Sequence, residues 1–386
     1  MRSGRSVTSP PAASPVPRNA GVLCELSGAL FAHLPRSDQR LRGDQYLRGL
    51  VAAEGRKSVR NIASHVGGPE LAQSLHHFIA SSTWDWEPLS TALRHYADNE
   101  LRFAAWVVGS VPLPKGRTQR LHRAGPDDTS GPQSSRGQQA IGVWGVAKDA
   151  TVPVKWNLLR DGEQVAECVA AATLGVDQHP LGPRPVVLNI PGTDLRPVFD
   201  RYMGVGAPLL AAVPAHLPLD QGPGHARRSL PAARLLRQNG MLRRPVEWTD
   251  PATGLVRTSL VAGVRVEWGG RPLLLLGQWD SGEGQAVHSW LTNLTATPLG
   301  VLLRLAKFPE RVERDFASSA SHVGTFDYEG RSSDGWHRHM TLAAAAHVAQ
   351  VIAAARARVR PWSQCMASME RMDYSLQPGR VGRGVG

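Results

Sequence analysis

The spacing of apolar residues changes period several times along the chain, and each change marks an element. From Val22 to about Asn99 the pattern is helical. Arg40, Leu41, Leu47, Leu50 and Val51 fit a helix with one apolar and one basic side. Ser58–His65 and Glu70–Ala80 predict two short helices around a turn at Gly67-Gly68-Pro69, in the manner of a helix-turn-helix. A plain helical hairpin with no role in binding is the favoured alternative. A further helix is expected from Pro88 to about Asn99, after Trp84-Asp85-Trp86.

Extended patterns follow. Phe103–Val108 is an unbroken apolar run closed by Gly109, the signature of a buried strand. Lys115–Gln139 is polar, basic and glycine-rich and predicts a loop or weak hairpin. Ala140–Ala147 and Thr151–Leu159 predict two antiparallel strands with Asp149 and Ala150 at their turn. A short helix at Asp161–Ala172, a strand at Pro185–Ile190, a helix at Asp194–Met203 with Asp194 available as a cap, and a strand at Pro208–Val213 complete this half. Three strands, helix, strand, helix, strand fits an α/β class with a mixed sheet, and several α/β folds share it.

Beyond Pro214 the character changes. Leu255–Val261, Val264–Trp268, Pro272–Gln278 and Ala286–Leu294 are short extended pieces between turns, which predicts a β-rich insertion. Leu299–Phe316 returns to helix, and Trp336–Val359 is a long Ala-rich helix. The expected organisation is a disordered leader over residues 1–20, a helical region over 21–100, a core over 101–213, the insertion over 214–297, C-terminal core helices over 298–360 and a tail over 361–386 that ends in glycine and arginine at Gly379–Gly386.

Charge adds a functional hint. Lys and Arg exceed Asp and Glu by 12, so the protein is attracted to polyanions; high arginine usage alone gives the same excess. Cys24, Cys168 and Cys365 are widely separated with no C-x-x-C spacing, which argues against a disulfide framework or a cysteine zinc site and suits a cytoplasmic location. Met1–Ala20 lacks the apolar stretch of a secretory signal, and no run of about 18 apolar residues predicts a membrane span. Thr341–Ala357 comes nearest but is interrupted by His347, Gln350 and Arg356.

Three strings carry a resemblance. Asp327-Tyr328-Glu329 followed by Asp334-Gly335-Trp336-His337-Arg338-His339-Met340 is similar to the segment after the catalytic glutamate in bacterial insertion-sequence DDE transposases. Leu75-His76-His77-Phe78-Ile79 with Ser82-Thr83-Trp84-Asp85 resembles the N-terminal helical region of that family, and Gly142-Val143-Trp144-Gly145-Val146 its second core strand. The resemblance spans about Arg36 to Arg358. It implies an RNase H-like mixed sheet with an N-terminal helical region and a β-rich insertion. It also implies three carboxylates holding two divalent ions around the attacking and leaving oxygens of a phosphodiester.

Matched residue by residue, those carboxylates are depleted. The first Asp falls on Gly109 and the second on Asn189, while the Glu is retained as Glu313. Asp194 is a conceivable replacement for the second Asp, with helix capping the favoured reading. The family's Arg before the Glu and Lys after it fall on Pro309 and Ala320. An amide and a glycine are poor ligands for hard Mg²⁺. The resemblance therefore predicts a transposase-derived DNA-binding protein without cleavage activity and without a metal cofactor, Glu313 being vestigial, in a regulatory or accessory role. Its expected partner is double-stranded DNA, with a homodimer as the candidate assembly, and its place is the cytoplasm, on the nucleoid. Candidate phosphate contacts are Arg36, Arg40, Lys57 and Arg60 of the helical region and Lys115, Arg117, Arg120 and Arg123 of the loop. Two alternatives are an active transposase using displaced acids such as Asp194 with Mg²⁺, and a scaffold of the same fold with no DNA role.

Other chemistries find less support. His337 and His339, two apart on a helix, face different ways, as do the adjacent His76 and His77. No G-x-S-x-G elbow occurs, and Gly204-Val205-Gly206 lacks the context of a dinucleotide loop. Trp248, Trp268, Trp279 and Trp290 lie in the insertion, where relatives use an aromatic to stack on an extruded base; packing within the sheet is the favoured reading here.

Overall fold

The computed structural model describes residues 19–113, 139–159, 165–173, 184–192, 194–221, 229–279 and 286–373. The chain opens on α1 (Ala20–Phe31), α2 (Ser37–Ala52), α3 (Val59–Ser64), α4 (Ala72–Ala80) and α5 (Glu87–Leu101). Helix α2 buries Tyr46, Leu47 and Leu50, the one-turn repeat visible in its sequence. Ser58 caps α3 by accepting the backbone N–H of Asn61 at 3.2 Å. The turn into α4 depends on Gly68, whose φ of 113° is open to glycine and strained for other residues.

The core sheet follows from three antiparallel strands and two parallel ones. β1 (Ala105–Pro112), β2 (Gln139–Val146) and β3 (Thr151–Leu158) form a meander. Helix α6 (Val165–Thr173) leads to β4 (Val186–Asn189), and α7 (Arg196–Val205) leads to β5 (Leu209–Ala212). β4 lies parallel to both β1 and β5, giving the order β3-β2-β1-β4-β5. That order, with helices between the parallel strands, is an RNase H-like sheet. Helix α7 ends at Gly206, whose φ of 68° is the left-handed stop that glycine supplies most cheaply.

The expected insertion is present but is not an independent sheet. It contains β6 (Pro218–Gln221), β7 (Ser229–Pro231), α8 (Ala232–Gln238), β8 (Arg244–Thr249), β9 (Val256–Trp268), β10 (Arg271–Trp279) and β11 (His288–Thr292). β11 pairs antiparallel with β5, Trp290 opposite Ala212, so the core order continues as β5-β11-β10-β9-β6-β7 within one sheet. The two strands expected at Leu255–Val261 and Val264–Trp268 are one. Gly263 sits mid-strand because a Cβ there would press on Leu299 at 3.1 Å and Leu274 at 3.2 Å, not because the chain turns.

The helix expected over Leu299–Phe316 is two, α9 (Leu299–Ala306) and α10 (Phe308–Ser319). Pro309 lies in the first turn of α10, where its missing N–H costs nothing and its fixed φ starts a new helix. Helix α11 (Ser333–Asp373) runs longer than the apolar pattern. Its segment Ser333–Arg358 is long and apolar enough by composition to cross a membrane, which corrects the expectation of no such stretch; 67% of that window is buried inside the protein. Its alanines 343–346 let α1, α2, α4, α5 and β3 approach closely, so helical region and core share one interior.

Candidate site at the ends of the parallel strands

β1 is buried through Val108 and emerges at Gly109. In the parallel register Gly109 stands opposite Asn189, the last residue of β4. Loops leaving the carboxyl ends of neighbouring parallel strands border the crevice where α/β sheets place their ligands. Helix α10 crosses this edge. It buries Val312 and Phe316, the latter against Trp144 and Trp156 of the sheet, with ring centroids 5.7 and 5.5 Å apart. Between those anchors Glu313 faces out, and Asn189 Nδ2 donates to its Oε1 at 3.3 Å. Gly109, Asn189 and Glu313, from three separate elements, thus lie together.

Their chemistry does not suit a pair of divalent ions. Glu313 brings one carboxylate. Asn189 turns its NH₂ to that carboxylate, the orientation a negative neighbour favours. Gly109 brings no side chain, although a Cβ there would meet nothing closer than Trp144 at 3.7 Å and the Asn189 carbonyl at 3.8 Å. Among the described residues no three His, Cys, Asp or Glu groups converge as a metal site. Asp194 accepts the backbone N–H of Arg196 at 3.1 Å and so holds the start of α7. Asp315, two residues beyond Glu313, is tied to the Thr151 hydroxyl at 3.1 Å and the Arg311 guanidinium at 3.4 Å. Pro309 and Ala320 are buried at the two ends of α10.

The candidate DNA contacts divide. Arg36 is exposed and paired with Asp38 at 2.8 Å; Arg60 is exposed on α3. Arg40 is exposed but donates to the Leu34 carbonyl at 2.7 Å, closing the turn after α1. Lys57 is buried. Its ammonium bonds the Ala53 carbonyl and its backbone N–H the Asp327 carboxylate, so it is a structural residue and not a surface cation. Lys115, Arg117, Arg120 and Arg123 lie outside the described residues.

The strings that carry the resemblance are mostly a joint. Arg338 is buried, donates to the Trp84 carbonyl at 2.9 Å and the Ile79 carbonyl at 3.2 Å, and covers the Trp84 ring. His339 is fully buried between the Tyr46 hydroxyl at 2.9 Å and the Gly324 carbonyl at 2.8 Å, and burial holds its pKa below the ordinary imidazole range. His337 stacks on Trp86 and accepts the Leu158 N–H at 3.3 Å. Arg56 pairs with Glu329. These contacts fasten α11 to α2, α4 and β3. Three consecutive polar residues inside an Ala-rich helix were the sequence signal for such a joint. In the insertion Trp248, Trp279 and Trp290 are buried, and the half-buried Trp268 donates to Asp200 at 2.8 Å, so all four pack within the fold.

Residues 29–178 match the family model of the DDE superfamily endonucleases. The match takes in the helical region and the β1-β2-β3 meander with Gly109; Asn189 and Glu313 lie beyond it and join the site through the sheet and α10. The match covers 150 of the 386 residues, so it is this part of the chain that is similar to the DDE superfamily endonucleases, and the strand order agrees with an RNase H-like fold. No curated protein matches the chain.

Proposed function

We propose that this chain is a transposase-derived protein that binds double-stranded DNA without cutting it and acts as a regulator or accessory factor in the cytoplasm. The observation that supports this reading is the site itself. At the strand ends, where the family holds its ions, a glycine, an amide and one carboxylate meet, and the amide hydrogen-bonds the carboxylate. Ions supply most of the acceleration in phosphoryl transfer, and a loss of only ~4 kcal/mol costs about a thousandfold in rate. The basic excess of 12 charges and the exposed Arg36 and Arg60 support attraction to the duplex.

The test is a paired assay on the purified chain. Duplex DNA should bind at low salt, and neither Mg²⁺ nor Mn²⁺ should yield nicked or joined product. Metal-dependent cleavage abolished by Glu313→Gln would overturn the reading and establish an enzyme. Absence of duplex binding at low salt would leave a scaffold of this fold.

A further inference from the structure

Between Asp220 and Glu247 the sequence holds six arginines and no acidic residue. Four of them, Arg234, Arg237, Arg243 and Arg244, lie among the described residues, and all four are exposed. Two apolar side chains stand among them. Met241 is 97% exposed, the highest value for a large apolar side chain among the described residues, and its neighbour Leu242 is 55% exposed. A lone exposed apolar residue is commonplace. An adjacent pair with arginines on both sides in sequence fits a partner that is anionic outside and apolar within.

The backbone that carries the pair is braced. Helix α8 buries Ala232, Leu235 and Leu236, which leaves Arg234 and Arg237 on its outer side. Asn239 ends the helix: its backbone N–H donates to the Leu235 carbonyl at 3.1 Å and its side-chain amide to the same oxygen at 2.9 Å. A single 3-10 turn, Gly240–Leu242, leads from there to β8. The Leu242 N–H donates to the Asn239 carbonyl at 2.9 Å. Arg243 Nε donates to the Gly240 carbonyl at 2.8 Å, and its guanidinium lies 5.5 Å over the Trp279 ring. A Cβ at Gly277 would meet Leu236 of α8, and one at Gly263 would meet Leu299 of α9; Gly277 pairs with Ala262, the neighbour of Gly263. Successive strand residues face opposite ways, so α8 packs on the other face of the sheet from α9.

We infer that Met241 and Leu242 form a wedge that enters the minor groove of duplex DNA, parts one base step and bends the duplex, with the flanking arginines on the phosphates. The inference rests on the reading that this chain binds duplex DNA. It adds a contact surface separate from Arg36 and Arg60 and from the strand ends. Proteins that kink DNA insert apolar side chains, methionine and leucine among them, between base steps and use arginine in the groove. Methionine suits the role because it is long and unbranched. Trp248, Trp279 and Trp290 are buried and do not reach such a contact. A bilayer is also anionic outside and apolar within, but it holds even a single myristoyl chain only marginally, and two short side chains bury less.

Ligase-catalysed circularisation of a duplex of about 120 bp, shorter than the ~150 bp persistence length, reads bending without a known target sequence. The full chain at saturating concentration should raise the yield of circles about fivefold or more. Met241→Ser with Leu242→Ser should abolish that gain and leave the slope of log affinity against log salt unchanged. Met241→Ser alone alters only an exposed side chain and should remove most of the gain. Arg237→Ala and Arg244→Ala should each lower the salt slope by about 0.9. Duplex binding without added circles, or as many circles with the double variant as with the parent, would overturn the wedge and leave the DNA-binding reading standing. Unaltered slopes in both arginine variants would overturn it as well. Sedimentation with phosphatidylserine–phosphatidylcholine vesicles that the double variant loses would assign the pair to a membrane instead. No duplex binding at low salt would remove the wedge and the DNA-binding reading together.

Discussion

Asn189 Nδ2 lies 3.3 Å from Glu313 Oε1. The two residues are 124 positions apart and arrive on a strand end and a helix. The amide N–H donates a hydrogen bond to one carboxylate oxygen and leaves the single negative charge of Glu313 in place. Where three carboxylates would repel one another without metal, this trio carries one charge and has no such repulsion.

That contrast predicts a gain of metal dependence. Gly109 has room for a side chain, so the double variant Gly109→Asp with Asn189→Asp should fold. It should melt lower than the parent without metal and recover on adding Mn²⁺. Ligand at about a hundred times its Kd adds ~2.7 kcal/mol. Differential scanning fluorimetry against Mn²⁺ concentration reads this directly; a parent that responds as strongly as the variant would refute the site's placement. Cleavage is not expected to return, because Pro309 and Ala320 stand where basic groups would be.

Among the cations of the helical region, exposure sorts effect from silence. Arg60→Ala should lower the slope of log affinity against log salt by about 0.9 if one phosphate contact is lost. Lys57→Ala should leave that slope unchanged and lower the melting temperature instead, since its ammonium is buried on the Ala53 carbonyl. Anisotropy titrations of a duplex at several salt concentrations separate the two. If about six phosphates are engaged in all, the parental slope should be near −5.

Stability should fall in mild acid partly through His347. Burial pushes its pKa down to about 4 from an ordinary 6.5, outweighing the attraction of Asp315. The folded imidazole stays neutral while the unfolded one takes up a proton, so its contribution is intact above pH 6.5 and is lost as pH falls toward 4. At 1.36 kcal/mol per unit the loss is ~3 kcal/mol. Urea unfolding between pH 7 and pH 4 should show a shallower decline for His347→Gln than for the parent.

The joint between α11 and the N-terminal helices should be intolerant of conservative change. Arg338→Lys keeps the charge but not the fork that reaches the Trp84 and Ile79 carbonyls, and should cost about 2–4 kcal/mol. Tyr46→Phe leaves the buried His339 Nδ1 without its partner and should cost ~1–3 kcal/mol. Equilibrium unfolding measures both; a change under half a kcal/mol in either would mean the joint is looser than its geometry.

How far the sequence discloses all this depends on the kind of contact. The strands of the meander and the parallel pair were legible because unbroken apolar runs such as Trp106-Val107-Val108 have few alternatives. The continuity of β9 was not: Gly263 looks like a break until Leu299, 36 positions later, is seen to crowd it. Lys57 reads as a surface cation because nothing near it in sequence shows that Asp327 will close over its backbone. Residues whose role is set by local pattern can be read along the chain, whereas those set by a distant partner cannot.

The pairing of β11 with β5 has a consequence for engineering. The polypeptide between the fifth core strand and α9 cannot be excised as a cassette, because its last strand is also the next rung of the core ladder. A graft joining residue 213 to residue 298 would strip β5 of its neighbour and present bare N–H and C=O groups along a buried-type strand, an open template for strand addition between copies. Trimming that stops short of residue 286 keeps β11 on β5 and moves the open edge from β5 to β11. The same pairing puts β9 and β4, where Asn189 meets Glu313, in one hydrogen-bonded ladder joined through β10, β11 and β5.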